Sequence, residues 1–548
     1  MGSAKIFTSV LGLLLIAFVG LNITAAEPSA PSPTVYEREG YQEVIVETRL
    51  AAYLFSTQGG VLRSAYLHFT PMKGWTKPAE LIPDTETRED PQSGLERAYV
   101  RDALFPFRLV VDGIPTEELE HAIAYEQLDG RLLLSFTAEL EGLEITKTFR
   151  ISENPYYTLD FLLEVRNISD GEKRLAQGLQ LFLGRGVGGE AQGEVRYLFE
   201  GEISDRPLER PLEGLGFVGG GVVFFLKAQG GDGPLLPLFG EPTGHERGLA
   251  VEAPQFALQP GESRVYSFKL YAGRAKYTLL AHEGLGRLAP PGFFSQFLIP
   301  VVQLLDWLYR MTGNYGWAII LFTLITRILL FPLTRKQFHS MAVMAELRPK
   351  LEKLQQRYPT LRRLRELHPN LSQEELIKRD RENRRALQEK MMELYRKEGV
   401  NPLGGCLPML VQLPILIVLW QAILYSAEMI HLSPGFLWMS DLSLRDPYYL
   451  IVALTAIAML LQTKTTPTLT TTTQGPNPMV FMIFSIAIMV LFLKDFPSGL
   501  WLYYFLTTII QVGQQVFINW ELKNIKLKKE AASAQAPTSD SKAEKGEA

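Results

Sequence analysis

The chain is poor in cysteine. Its 548 residues hold one, Cys406, so no intrachain disulfide can form and the folded parts must be held by core burial. No zinc-ligand spacing, no phosphate-binding P-loop and no His-Glu-x-x-His helix occurs, which leaves no motif for metalloprotease or P-loop nucleotide chemistry. The glycine-rich stretches Gly184–Gly193 and Gly214–Gly221 lack a dinucleotide fingerprint and read as turns. Charge is uneven beneath a formal net of -4. Residues 27–291 hold 26 Lys+Arg against 39 Asp+Glu, a net of -13, and residues 335–400 hold 17 against 10, a net of +7.

What the chain does have is long hydrophobic runs. The first, Ile6–Ile23, follows Lys5. Thr24-Ala25-Ala26 resembles the small-residue cleavage site of a signal peptide, but a mostly apolar run of 18 residues exceeds the usual core of about 7–15. The length favours an uncleaved N-terminal anchor over residues 1–26. A stretch without such runs extends over 27–291, and the remaining runs crowd into 293–519.

The long stretch reads as all-β. A Pro/Ser/Ala-rich linker over 27–35 precedes β-rich segments at Val44–Thr48, Leu132–Phe136, Ile145–Phe149, Tyr157–Val165 and Val222–Leu226. Several alternate in polarity and are bounded by Gly, Asn or Asp. Many short strands with turn signals predict a large β-sandwich, closed by a short helix around Lys276–Leu288. Pro290-Pro291-Gly292 then breaks the chain.

From there the pattern becomes helical. Phe294, Phe297, Leu298, Val301, Leu304, Leu305 and Leu308 share one face of an amphipathic helix over 292–313, which reads as lying in a membrane interface. Five spans are expected at about Tyr315–Leu333, Leu407–Tyr425, Pro447–Gln462, Met479–Leu493 and Phe496–Ile518, making six with the anchor. The fourth and fifth have apolar cores of about 15 residues, or about 22 Å against about 30 Å of hydrocarbon, which implies local thinning or shielding. Between the second and third spans, apolar residues from Met344 to Leu361 step by three and four, Ser372-Gln-Glu-Glu375 forms a capping box and Gly399 closes the pattern. An antiparallel helical hairpin over 335–400 is expected, its first helix bent at Pro349 and Pro359. The positive-inside rule puts this hairpin and the basic tail (Lys523, Lys526, Lys528, Lys529) in the cytoplasm. The loop Glu428–Asp446, with Arg445 as its single Lys or Arg, and the acidic β-domain then lie outside, with both termini inside. Residues 520–548 read as a basic, then disordered, tail.

One residue conflicts with this hydrophobic background. Arg327 lies inside the run Tyr315–Leu333, where an arginine at a helix centre costs about 2.5–3.5 kcal/mol on insertion scales. It is six residues from Leu333, so snorkelling toward the end of the run is one reading. Thr323, four residues earlier on the same face, and polar residues in other spans support the other, a wet cavity within the membrane.

Several motifs then line up in order: Arg327 and Pro332; Asn401-Pro-Leu-Gly-Gly-Cys-Leu-Pro408 with Gln412 and Pro414; Asp446-Pro-Tyr-Tyr449; Phe496-Pro-Ser-Gly-Leu500; and Leu502-Tyr-Tyr504. Over residues 290–525 this resembles the YidC/Oxa/Alb family of membrane insertases. Ser56-Thr-Gln-Gly-Gly60 and Ile145-Thr-Lys-Thr-Phe149 resemble the outer domain of the Gram-negative form. The resemblance implies a six-span α-helical protein of the bacterial inner membrane with a periplasmic β-supersandwich over 27–291 and a five-helix insertase core over 314–519. It implies a positive, hydrophilic groove, with Arg327, Thr323, Gln412 and Tyr504 on its wall. Thr508 and Gln511 are further groove candidates; with Gln515 they continue the stripe of Tyr504 at helical spacing, a pattern more often found as helix-packing glue. The implied partners are nascent membrane proteins, the ribosome, the Sec translocon with its accessory subunits, the signal recognition particle receptor and the lipid bilayer. No bond is made, so no enzyme activity or cofactor is expected. Two features depart from the family pattern: a long hairpin tip, Leu361–Leu371, and a loop Thr463–Pro478 whose one cation is Lys464. The rival class is a transporter or anion channel using the intramembrane arginine, for which a through-pathway and internal repeats would be needed. A membrane-anchored sugar-binding β-domain is a further alternative, resting on fold analogy alone.

Overall fold

A computed structural model describes residues 30–72, 77–90, 94–99, 104–188, 193–208, 210–240, 248–399, 407–465 and 478–534. The N-terminal anchor, residues 401–406 of the Asn401–Pro408 motif and the end of the tail lie outside them. The described residues form two compact units. One comprises the described residues up to Pro300 together with Leu424–Ser433; the other comprises those of Val301–Ile423 and those from Pro434 onward.

The first unit is built on antiparallel strands. Its nine-stranded sheet runs in the order 122–128, 131–140, 143–152, 158–167, 263–274, 222–231, 214–219, 194–199, 202–204. Two five-stranded sheets accompany it, one from strands between Pro33 and Glu80, the other in the order 236–240, 248–253, 179–184, 109–111, 114–115. The alternation read from sequence is the cause: in Arg131–Leu140 and Leu143–Ser152 every second side chain is buried. Phe55, Phe107, Phe136, Phe149 and Phe161 meet in one aromatic core, with ring centroids 4.5–6.0 Å apart. The closing helix is shorter than expected, Tyr277–His282, followed by a 3-10 turn at Gly286–Leu288.

Leu424–Ser433 belongs to this β unit, which the sequence did not signal. Glu428, 2 % exposed, accepts two hydrogen bonds from Lys276 Nζ at 2.8 and 2.7 Å and one from the Tyr157 hydroxyl at 3.3 Å. Lys276 Nζ also donates to the Leu424 carbonyl. At the far end of the segment, Arg49 donates to the carbonyls of His431 and Leu432, the last residues of the short helix Ala427–Leu432, where a cation is favoured by the helix dipole.

The second unit is helical. Phe293–Thr312, which begins just before it, exposes Phe297, Trp307 and Met311 and buries Leu298, Val302, Leu305 and Leu308. Helices then follow at Tyr315–Glu346, Leu407–Tyr425, Leu450–Thr465, Pro478–Leu493 and Ser498–Ala534, one at each expected span. Among the described residues one segment, Tyr315–Lys336, is long and apolar enough to cross a membrane; Gln412–Tyr425, Leu450–Thr463 and Ile483–Leu493 are shorter apolar stretches.

Boundaries differ from expectation for local reasons. The Tyr315 helix passes Leu333 without a break and ends at Glu346. The Ser498 helix continues to Ala534, through the basic part of the tail. The fourth apolar helix starts at Leu450 because Asp446, fully buried, accepts from the backbone N–H of Tyr448 and Ile451 and from Trp438 Nε1. The Phe496–Leu500 motif reflects close approach: a Cβ on Gly499 would lie 3.0 Å from Ile319 Cδ1 and 3.1 Å from the Leu442 carbonyl oxygen.

The hairpin is also divided differently. Pro349 does not bend a helix; it lies in the first turn of a new one, Arg348–Arg357, where its missing N–H costs nothing. Pro359 separates that helix from Leu361–Leu367, which occupies the expected tip. The returning helix Gln373–Lys397 is capped as read, Ser372 Oγ accepting from the Glu375 N–H at 3.3 Å. Asp380 accepts from the Leu361 N–H and Arg384 Nε, both at 2.7 Å, closing the tip onto this helix. At the base, Met344, Leu347, Leu351 and Tyr395 bury together with Ile518 of the Ser498 helix.

Candidate site inside the helical unit

The Tyr315 helix separates its faces. Ile325, Ile328, Leu329 and Leu333 are exposed, Ile328 and Leu329 by 74 % and 77 %. Thr323 and Arg327, four apart on the opposite side, are 0 % and 4 % exposed. Arg327 therefore points inward among helices, away from the exposed apolar stripe, and snorkelling is not what the geometry displays.

Its partner comes from another helix. Arg327 Nη2 donates to Gln412 Oε1 at 2.7 Å, and Gln412 Nε2 donates to the Tyr503 hydroxyl at 2.9 Å. The Gln412 amide thus bridges three helices, with its carbonyl toward the guanidinium and its NH2 toward the phenol. The flip is set by chemistry: a guanidinium can only donate.

The expected residues do not act alike. Arg327 and Gln412 meet directly. Thr323 turns its hydroxyl to its own helix, donating to the Ile319 carbonyl at 2.6 Å, and Thr508 does the same to the Tyr504 carbonyl at 2.8 Å. Both are buried, so these hydroxyls read as helix-internal bonds. Gln511 accepts from Gln462 Nε2 at 3.0 Å, a tie to the Leu450 helix. Gln515 is buried at 2 %. The hydroxyl that joins the network is that of Tyr503, 1 % exposed, and not that of Tyr504, which the motif reading had favoured. Neighbouring helix residues point about 100° apart, so a Tyr-Tyr pair offers one hydroxyl to a given face, and local pattern does not say which.

Among the described residues no group of three or more His, Cys, Asp or Glu could hold a metal. The site is one buried cation, one bridging amide and one phenol on apolar helices.

A family model described as "60Kd inner membrane protein" matches residues 307–526. A "Membrane protein insertase YidC" of Wolinella succinogenes is 32% identical over 414 residues, covering 73% of this chain and 69% of the relative. The chain belongs to the YidC family of membrane protein insertases. A second YidC, from Syntrophus aciditrophicus, is 29% identical over 517 residues, covering 90% of this chain and 88% of the relative. A crystal structure of an active YidC insertase with its first transmembrane domain resolved matches with a TM-score of 0.50 at 24% identity, covering 92% of this chain and 98% of that one. That likeness shows the shared fold, including a β-rich part before the YidC helices.

Proposed function

We propose that this YidC-family chain inserts nascent membrane proteins by giving their hydrophilic segments a polar, positively charged wall inside the membrane. Membrane protein insertion is its function; the groove and its residues are our reading. The observation that carries the reading is the inward Arg327, bonded to Gln412 at 2.7 Å on the side away from the exposed apolar stripe. A buried guanidinium with no carboxylate partner among the described residues keeps its full charge for an incoming acidic segment, and Coulomb attraction is strong where the effective dielectric is low. Tyr503, through Gln412, would position that charge, with Tyr504 beside it. Thr323 and Thr508 would keep the neighbouring backbone polar and hydrogen-bonded, and Gln511 would extend the polar wall.

The helices Leu450–Thr465 and Pro478–Leu493, each of 16 residues, reach about 24 Å at about 1.5 Å per residue and would thin the bilayer beside the groove. The lowered barrier lets a short hydrophilic segment cross, and the apolar helix that follows it partitions into lipid. Insertion on this reading needs no covalent step and no cofactor. We place the chain in the bacterial inner membrane with six spans, both termini and the hairpin 335–400 cytoplasmic and residues 27–291 periplasmic. The Sec translocon with its accessory subunits, the ribosome and the signal recognition particle receptor are the partners this placement offers. A cysteine placed at position 375 should be labelled by an impermeant thiol reagent only after lysis of spheroplasts; labelling before lysis would reverse the orientation.

The test of the groove uses one client whose translocated segment carries either Asp or Asn. Arg327→Ala should slow the Asp form most and leave the Asn form nearly unchanged, while Arg327→Lys keeps most activity, since a point charge suffices. Equal slowing of both forms would make Arg327 structural and remove charge attraction from the mechanism.

A further inference from the structure

The β unit contains a lysine where its pattern calls for an apolar side chain. In the strand Leu143–Ser152 the core-facing series is Leu143, Ile145, Lys147, Phe149, Ile151, and Lys147 is 0 % exposed. Its cross-strand neighbours are Phe136 and Leu163. The amine lies in a cradle of carbonyl oxygens, at 2.6 Å from Gly59, 2.7 Å from Phe107 and 3.4 Å from Gly60. Gly59 and Gly60 form the turn between strands Ala51–Ser56 and Val61–Leu67 of one five-stranded sheet; Phe107 leads into strand Leu109–Val111 of the other. One side chain of the nine-stranded sheet therefore bonds to backbone belonging to both others. The two outer-domain motifs, Ser56–Gly60 and Ile145–Phe149, are the two halves of this contact. Gly60 is required by it: φ is +56°, and a Cβ there would lie 3.3 Å from Lys147 Cδ and 3.2 Å from His121 Cδ2.

We infer that Lys147 is a proton-linked latch, tying the three sheets of the β unit together through the Gly59 and Phe107 carbonyls, the two close acceptors that the two N–H groups of a neutral amine still serve. Carbonyl dipoles partly solvate the ammonium, but no carboxylate hydrogen-bonds or pairs with it among the described contacts, so burial penalises the charged form. His121 is the titratable group that faces it, and its Nδ1 lies 3.1 Å from the Leu119 carbonyl. Nearby, Arg108 is paired with Glu117, which also lines Gly59. Burial pushes Lys147 from its ordinary 10.5 down to about 7. His121 is pushed down to about 4, by burial first and then by the Lys147 charge. The two windows do not overlap. Between about pH 7 and 10.5 the unfolded chain holds the Lys147 proton and the folded chain does not, so stability rises with pH there. The His121 contribution rises lower, between about 4 and 6.5.

Hydrogen exchange of full-length protein in detergent micelles reads this directly, on peptides covering residues 131–152, with rates corrected for intrinsic pH dependence. Protection in the wild type should rise by about seventyfold from pH 7.5 to 9.5, approaching tenfold per unit in mid-window, and should be flat in Lys147→Met. Flat wild-type protection would overturn the latch whatever the variant does, and so would a rise that persists unchanged in Lys147→Met.

Discussion

Replacing Gln412 by leucine is expected to abolish most insertion activity, while replacing it by glutamate separates folding from function. Gln412 is the hydrogen-bond acceptor found for Arg327 Nη2 and the donor to the Tyr503 hydroxyl. A leucine of similar volume fills the space but leaves a guanidinium that is 4 % exposed without that acceptor. A hydrogen bond to a charged group contributes about 1.5–3 kcal/mol, roughly a ten- to hundredfold change in the population of the ordered site at about 1.4 kcal/mol per tenfold. Both thermal stability in detergent and insertion rate should fall. Glutamate has nearly the same shape, still accepts from Arg327 and can accept from Tyr503, so stability should be kept. Its carboxylate, however, cancels the positive charge. Gln412→Glu should therefore be a well-folded protein that no longer favours a client segment with Asp over one with Asn. The comparison is one of insertion rates in reconstituted vesicles. A Gln412→Glu protein that keeps the wild-type preference for Asp would disprove an electrostatic groove.

The second large effect lies in the β unit. Glu428→Ala removes the acceptor of two Lys276 hydrogen bonds and of one from Tyr157. Breaking a buried pair by deleting one partner costs about 3–5 kcal/mol because the other charge stays behind. Here the Lys276 side chain is 19% exposed and retains the Leu424 carbonyl, so the lower end of that range applies. Residues 424–433 should then detach from their partners at this end, while the bonds from Arg49 to His431 and Leu432 hold the other. Exchange protection over 424–432 should drop by roughly a hundredfold, converting about 3 kcal/mol, with little change in the strands 131–152. Glu428→Gln, which keeps an acceptor, should fall between. Unchanged protection of 424–432 in Glu428→Ala would mean that the segment is held by its apolar contacts and not by the ion pair.

Much of the architecture was legible because it follows from local periodicity. Period-two alternation placed strands such as Leu143–Ser152, and the apolar runs placed each apolar helix of the second unit. Ser372 as a cap is a contact over three residues, and sequence reading handles such contacts well. The groove candidates were legible as types: an arginine in an apolar run is costly enough to require a partner. Their roles were less so. Thr323 and Thr508 are groove candidates by pattern, and in the structure each hydroxyl satisfies its own backbone, a choice open to any threonine in a helix. The Pro349 and Pro359 positions were read as bends, yet the chain placed them at a helix start and between helices, where a missing N–H is least costly.

By itself the sequence determined the division into an acidic all-β stretch and a helical stretch rich in apolar runs, the place of several core strands and of the apolar helices, and the presence of a cation that hydrocarbon would reject. Those are local properties, set by spacing of three to four residues or of two. The tertiary structure alone decided which groups complete them. Arg327 finds Gln412 across 85 residues, and Gln412 finds Tyr503 across 91. Lys147 finds Gly59 across 88, and Glu428 joins Lys276 across 152. Each of these polar groups is buried or half-buried, and a polar group leaving water must take whatever partner the packed backbone brings within about 3 Å. That distance depends on how helices and sheets stack, which no local pattern encodes.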